Sequence, residues 1–357
     1  MKQQSKKIAY YIFQSAPSEI VRAKVFAQEY ERQGYSVKYF QLYSTIINSL
    51  KNNLRNKIVV YLLSLIDIKI IFPIKSLVVL HSASKFDGII LLKYVDPNFI
   101  SKLKQRTKAK LLFDFDDAIW LEGFLGVEKF KKILGLVHFV SCDNSYLVEK
   151  SQVFNQHTFI VNGPAQFEFF NKGKKQRDNN HVIIGWIGSP STLFYLYAIY
   201  DALEEIGSKA KNVKLIVVGT GKDKRLYPKF ENLKVEFIES YNQAEMVDYV
   251  NSFDIGLYPL FNNQLSLGRG SLKATIYMAA GKPVVATSIG HNKILIQDGI
   301  NGFLALPKEE WVAKLSELII NPSLREKMGI EGRKTIELNY SIEKCFAQLK
   351  QKYLEML

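Results

Sequence analysis

The feature that most constrains this chain is a repeated change of hydrophobic period. Short apolar runs of strand type alternate with stretches of helical spacing, in two successive series. In the first series the strand-like runs are KIAYYIF (7–13), SVKYFQL (36–42), DGIILLK (87–93), KLLFDF (110–115) and FIV (159–161). Helical patterns fill 19–33, ended by Gly34, and most of 45–81, broken at Pro73, while Asp96-Pro97 opens another. The second series places strands at 181–187, 213–218, 234–238, 254–258, 283–286 and 302–305, again with helical patterns between them. Strands joined through helices need right-handed crossovers, which build a parallel, doubly wound α/β sheet.

A chain of 357 residues exceeds what one hydrophobic core usually serves. The polar run KGKKQRDNN (172–180) has no apolar period and reads as a linker. The expected organisation is an N-terminal domain over 1–165, a linker over 166–180, a C-terminal domain over 181–340 and a last helix over 341–357. That helix carries Ile342, Cys345, Phe346, Leu349, Tyr353, Leu354 and Leu357 as one apolar stripe, which needs a surface to cover.

A composition 47% hydrophobic, 13% aromatic and 23% charged excludes disorder, collagen and coiled coil. Two cysteines, Cys142 and Cys345, make neither a disulfide framework nor a four-ligand zinc site, and they suit a reducing compartment. The first apolar run, 8–13, is too short for a signal peptide, and no stretch reaches about 18 uninterrupted apolar residues. A soluble cytoplasmic protein is expected.

Charge is unevenly spread. Residues 1–110 hold 19 Lys+Arg against 6 Asp+Glu, so they carry almost all of the formal net charge of +14. An anionic partner of the N-terminal domain follows: nucleic acid, an acidic substrate or an anionic lipid surface. Residues 45–57 (TIINSLKNNLRNK) set Lys51, Arg55 and Lys57 among apolar residues, and 58–72 (IVVYLLSLIDIKIIF) is very apolar. This pair has the character of an interfacial element on acidic lipid, or of a helix whose apolar side is core. No nucleic-acid module accompanies the charge, so nucleic acid is not expected.

Ligands of doubly wound sheets bind beyond the carboxyl ends of the strands, and three sequences stand there. In GWIGSPST (185–192), Gly188 and Ser189 end a strand and precede a helix, which suits a phosphate or simply a tight turn. In GRGSLK (268–273), Arg269 and Lys273 are four apart, so on a helix start they share a face. A fork of donors and a point charge make a diphosphate clamp, or a solvated basic face. Gly268 and Gly270 suggest close approach to the backbone. In DFDD (114–117), alternation puts Asp114 and Asp116 on one side of the strand and Asp117 in the loop, open to sugar hydroxyls, a metal or, for Asp117, N-capping.

These stretches bear a family resemblance. IIGWIGSPSTLFYL (183–196), VKLIVVGTG (213–221), FDIGLYPL (253–260) and the block 268–304 resemble a family 4-type, retaining, nucleotide-sugar glycosyltransferase of the GT-B fold. FDFDDAIW (113–120) and DNSYL (143–147) resemble a bacterial subgroup of that family carrying the DFDDAIW motif. The resemblance implies two Rossmann-like domains facing a cleft, with the last helix crossing back onto the N-terminal domain. Lys273 would then meet the donor diphosphate, with Arg269 as a second basic residue. Gly188 and Ser189 would border the phosphates, Tyr258 and Pro259 would line the nucleotide pocket, and Asp116 and Asp117 would face the acceptor. Many members carry two glutamates eight apart; here those positions are Gly268 and Ile276, so ribose recognition must be achieved otherwise or is lost.

The expected activity is retaining transfer of a sugar from a nucleotide-sugar donor to a membrane-associated glycan or lipid-linked acceptor, as in cell-surface polysaccharide biosynthesis. No metal or other cofactor is expected, because two cations neutralise the diphosphate. The expected location is the cytoplasmic face of the cell membrane, held peripherally by the basic N-terminal domain. The alternatives are a nucleotide-sugar hydrolase or epimerase, and a non-catalytic GT-B subunit that binds a partner transferase.

Overall fold

The computed structural model describes residues 5–13, 22–44, 46–47, 57–93, 95–121, 125–165, 169–170 and 180–357. Most of the expected linker over 166–180 and most of the basic stretch 45–57 lie outside these residues, as does the start of the helical pattern at 19–21. The chain divides into two compact units. Unit 1 is Met1–Gly163 with Ile342–Leu357, and unit 2 is Pro164–Ser341.

Unit 1 is a six-stranded parallel sheet of β1 (Lys7–Ile12), β2 (Ser36–Gln41), β3 (Gly88–Leu92), β4 (Lys110–Phe115), β5 (Phe139–Cys142) and β6 (Thr158–Ile160). Their order across the sheet is β2-β1-β3-β4-β5-β6, which reverses direction between β1 and β3. β1, β3, β4 and β5 are buried along most of their length, so apolar runs rather than alternation mark them. The last helix, Ile342–Lys352, lays Cys345, Phe346 and Leu349 into the unit 1 core, and Phe346 packs edge-on to Tyr30 at 5.0 Å between ring centres. The expected return of the last helix to the N-terminal domain is thereby met.

Unit 2 is a second parallel six-stranded sheet: β7 (Val182–Ile187), β8 (Val213–Val218), β9 (Lys234–Ile238), β10 (Ile255–Tyr258), β11 (Val284–Thr287) and β12 (Phe303–Ala305). The order β9-β8-β7-β10-β11-β12 is the Rossmann order, with its switch point between β7 and β10. Gly185 and Gly256 stand opposite each other across that pair. Each lacks a side chain because an aromatic ring lies on it, Phe253 on Gly185 and Tyr277 on Gly256.

The expected break at Pro73 is absent. Helix Lys57–Ile66 passes through a π-helical segment, Asp67–Ile71, into helix Phe72–Ser82. The Phe72 N–H reaches back to Asp67 C=O, so the ladder is already in its wider register where Pro73 withdraws a donor. The helix is also turned out. Asp67, Ser76 and Val79 face inward, whereas Ile58 (70% exposed), Tyr61, Leu62, Ile70, Ile74 and Leu77 (68%) face outward. Asp67 accepts the Ser44 N–H at 2.9 Å, and Lys75 Nζ donates to Gln41 C=O at 3.0 Å. Polar contacts and the Phe72 ring, stacked on Tyr43 at 5.0 Å between ring centres, hold the inner side, while the outer side is apolar. Of the two readings left open for 58–72, core cover holds for the inner side, where Phe72 packs against Phe13 and Phe99, and the outer side leaves apolar side chains exposed. Among the described residues no helix is long and apolar enough to cross a membrane.

Candidate functional site

The switch point of unit 2 opens where β7 and β10 end, at Ile187 and Tyr258. Both strands deliver an aromatic residue beneath one ammonium. Lys273 Nζ stands 5.1 Å from the Trp186 ring centre and 5.6 Å from that of Tyr258. Ring faces attract a cation without donating protons or adding a formal negative charge. Lys273 is the second residue of helix Leu272–Ala279, whose N-terminus adds its own positive end. The arrangement concentrates positive potential at the strand ends, where an anion would enter.

The loop before this helix is tied down at several points. Tyr258 is buried, and its hydroxyl donates to Gly270 C=O at 2.6 Å. Ser271 Oγ donates to Asn292 Oδ1 at 2.8 Å, and Asn292 Nδ2 donates to Thr287 C=O at 3.0 Å. Thr287 Oγ1 accepts from Leu260 N–H at 2.7 Å. A buried polar chain thus links β11 and the segment after β10 to the N-cap of the Lys273 helix. Tyr277, on the same helix, accepts the Ile187 N–H at 2.9 Å and so locks the helix to the end of β7.

Several expectations change in detail. Arg269 and Lys273 do not share a helical face, because the helix starts at Leu272 and Arg269 lies in the turn, its N–H bonded to Ser266 C=O at 3.1 Å. Gly268 has φ −77°, an ordinary conformation, so its backbone does not demand glycine. Gly188 and Ser189 sit at the strand end, but their N–H groups are already engaged. Gly188 N–H donates to Val218 C=O at 3.0 Å and Ser189 N–H to Thr192 Oγ1 at 3.1 Å. Gly188 is required sterically: a Cβ there would meet the Trp186 ring and would come within 2.8 Å of Thr192 Oγ1. Pro259 is buried just beyond Tyr258. Ile276, where many family members carry the ribose-holding glutamate, packs against the unit 2 core.

In unit 1 the DFDD carboxylates meet cations of the same unit. Lys93 Nζ reaches Asp116 at 2.5 Å and Asp117 at 3.2 Å. Lys93 follows β3 with φ +48° and is buried. Arg22 grips Asp114 through Nε and, at 3.1 Å, through Nη2, and lies 3.7 Å from Asp143. Ser141 Oγ adds a 2.5 Å bond to Asp114. Burial pushes Asp116 up, but Lys93 and then Arg22 outweigh it and hold the carboxyl below its usual range. Burial lifts Asp143 to about 6 despite Arg22, with Asp116 and Asp117 pushing the same way. The reading of Asp116 and Asp117 as open to hydroxyls must accommodate Lys93, which pairs with both. Asp117 caps no α-helix, and among the described residues no three His, Cys, Asp or Glu side chains gather as metal ligands. Arg22, Lys93 and Trp186 were not legible as site residues, because only the sheet order brings them to the strand ends.

Comparison with known proteins places the unit 2 sequence. Residues 182–321 match the family model of glycosyl transferases group 1. Over 224 residues the chain is 34% identical to an uncharacterized glycosyltransferase, MJ1178, of Methanocaldococcus jannaschii, covering 61% of this chain and 59% of that one. Over 184 residues it is 24% identical to the capsular polysaccharide biosynthesis glycosyltransferase CapM of Staphylococcus aureus, covering 49% and 46%. The chain thus spans about half the length of these curated relatives. Among solved structures, a glycosyltransferase from Rickettsia africae has a TM-score of 0.69 at 14% identity, covering 99% of both chains. Anabaena Alr3699/HepE in complex with UDP and glucose has a TM-score of 0.67 at 14% identity, covering 99% of this chain and 100% of that one. The chain has the GT-B fold, and its residues 182–321 match the model of glycosyl transferases group 1.

Proposed function

We propose that this protein transfers a sugar from a nucleotide-sugar donor to a membrane-associated glycan or lipid-linked acceptor. The observation that carries the reading is Lys273, raised on the Trp186 and Tyr258 rings at the first turn of a helix, at the Rossmann switch point. There it stabilises the negative charge that grows on the leaving diphosphate, with Arg269 on the adjoining turn as the second cation. A cation pair of this kind makes a metal unnecessary. A uridine donor is favoured by the UDP in the similar HepE structure. Retention follows from the family resemblance: the acceptor hydroxyl attacks from the leaving group's face, and a donor phosphate oxygen takes its proton. Asp116 and Asp117 orient the acceptor through lone pairs that Lys93 leaves available. The outward apolar face of 57–82 and the basic charge of residues 1–110 hold the enzyme at the inner membrane face.

Thermal stabilisation by UDP, GDP, ADP and CMP tests the donor site. A nucleotide at about 100 times its Kd adds roughly 2.7 kcal/mol of stability. Lys273→Ala should abolish both the shift and sugar transfer while the unliganded protein stays folded; retained transfer would refute the assignment. Ile276 favours one other reading, a non-catalytic subunit, because the ribose-holding carboxylate is replaced by a packed apolar side chain. Nucleotide binding without transfer to any acceptor would support that reading.

A further inference from the structure

The donor site uses the carboxyl ends of the unit 2 strands, and the unit 1 charge cluster uses the carboxyl ends of β3, β4 and β5. Unit 1 also has a cavity of about 660 Å³ at the opposite edge of its sheet. Gly88 and Lys110, which pair in register, begin β3 and β4 there. The lining includes Lys104, Arg106, Lys108 and Lys110, with Asp87 as the one acidic side chain. Asp87 is occupied, since its Oδ2 accepts the Lys7 N–H at 2.8 Å. None of the four cations makes an ion pair among the described residues. Their field reaches half-buried His138, which is held below its usual value by desolvation first and then by Lys104 and Lys110. The wall is held in shape. Thr107 Oγ1 donates to Ala83 C=O at 2.9 Å and accepts from Ala109 N–H at 3.0 Å, and Lys110 N–H donates to Asp87 C=O at 2.9 Å. Asp87 offsets only part of this charge, so positive charge remains in excess around the hollow, and an anion placed there relieves the repulsion among the cations.

The cavity adjoins the outward helix. Helix Phe72–Ser82 runs into the turn Ala83–Lys85, whose Ser84 lines the cavity. The exposed side chains Ile74, Leu77, Val78 and His81 recur at helical spacing and lead toward it, Val78 lying roughly 10 Å along the axis from Ser84. An apolar strip continuing into a cationic hollow matches a bilayer surface, with acyl chains beside phosphates.

We infer that this cavity binds the phosphate headgroup of an anionic phospholipid while the outer face of 57–82 lies in the adjoining bilayer interface. The inference rests on the membrane part of the proposed function and adds a specific headgroup site to it. Flotation of the full chain with phosphatidylcholine vesicles, with and without phosphatidylglycerol, tests it alongside two variants. One replaces Lys104, Arg106, Lys108 and Lys110 with Gln; the other carries Leu62→Ser and Leu77→Ser. Each basic residue near the surface is worth a factor of about five, so the Gln variant should lose roughly a hundredfold or more in partition to phosphatidylglycerol vesicles. A variant with Arg at all four positions should retain binding, and the Leu→Ser variant should lose binding to both vesicle types. If the Gln variant floats like the parent while the Leu→Ser variant does not, the headgroup site is refuted and the interfacial helix stands. If the parent floats with neither vesicle, both are refuted. If inorganic phosphate alone stabilises the parent but not the Gln variant, and no vesicle binds, the ligand is a soluble phosphate and the lipid assignment is wrong.

Discussion

Tyr258→Phe separates two contributions that one residue makes to the proposed donor site. The hydroxyl donates to Gly270 C=O at 2.6 Å, and the ring lies 5.6 Å from Lys273 Nζ. Phenylalanine keeps the ring and removes only the hydrogen bond. Gly270 is half-buried, so water partly replaces the lost donor and the cost falls near the centre of the usual range, about 1 kcal/mol. For a unit of this size that lowers Tm by roughly 2–4 °C. The 268–271 loop is freed on one side only, because Ser271 stays bonded to Asn292. Affinity for a nucleoside diphosphate should fall about fivefold, the equivalent of that same energy. Tyr258→Leu removes ring and hydroxyl together, so it should add the loss of one cation–π contact, roughly 0.5–1 kcal/mol, to a packing defect. The assay is thermal melting with and without UDP for both variants. An unchanged Tm and UDP affinity in Tyr258→Phe would refute the view that this hydroxyl holds the loop. Equal damage in the two variants would refute the ring's role under Lys273.

Gly185→Ala drives a methyl into the Phe253 ring and should destabilise unit 2 by about 1–3 kcal/mol or more, read by urea unfolding. Lys93→Met strips Asp116 and Asp117 of their partner in a mostly buried cluster and should cost about 3 kcal/mol at pH 7. That deficit should shrink as acid protonates the carboxylates, so a deficit independent of pH would contradict the ion-pair account. Burial lowers His291 from 6.5 to about 4, so the unfolded chain binds the proton first as pH falls. Stability tied to His291 is therefore full above 6.5 and lost on the way down to about 4. The parent should lose about 3 kcal/mol more than His291→Gln between pH 7 and pH 4 in parallel unfolding titrations.

The sheets were legible in the sequence wherever strands are long and flanked by helical spacing, as at 110–115 and 213–218, which match their observed bounds. β5 was not. Its four residues, FVSC, have no alternation to detect, and Ser141 is buried only because Asp114, on the neighbouring strand, accepts its hydroxyl. At Pro73 the sequence rule was sound but local, and the π-helical segment absorbs the missing donor one turn earlier. The spacing of Arg269 and Lys273 was read through a helix that had not yet begun, since Ser271 is the N-cap. In each case the deciding contact comes from a different element, or from a change of ladder that the local sequence does not signal.

The same dependence explains why the two sets of strand ends differ chemically although both units are doubly wound. In unit 2 the Rossmann order puts β7 beside β10, and each contributes an aromatic ring beneath Lys273. In unit 1 the order puts β3 beside β4 and β4 beside β5, so Lys93, Asp114, Asp116 and Asp143 converge from three strands with Arg22. The aromatic faces themselves bring no formal negative charge to Lys273, and the helix start adds partial positive charge at the same end. Carboxylates paired with Lys93 and Arg22 cancel most of theirs, which makes that end a poor trap for a cation. Lone pairs that face away from the paired cations can still accept hydrogen bonds from hydroxyls. Under the proposed transfer, the charge at each unit's strand ends suits a diphosphate in unit 2 and a hydroxyl in unit 1.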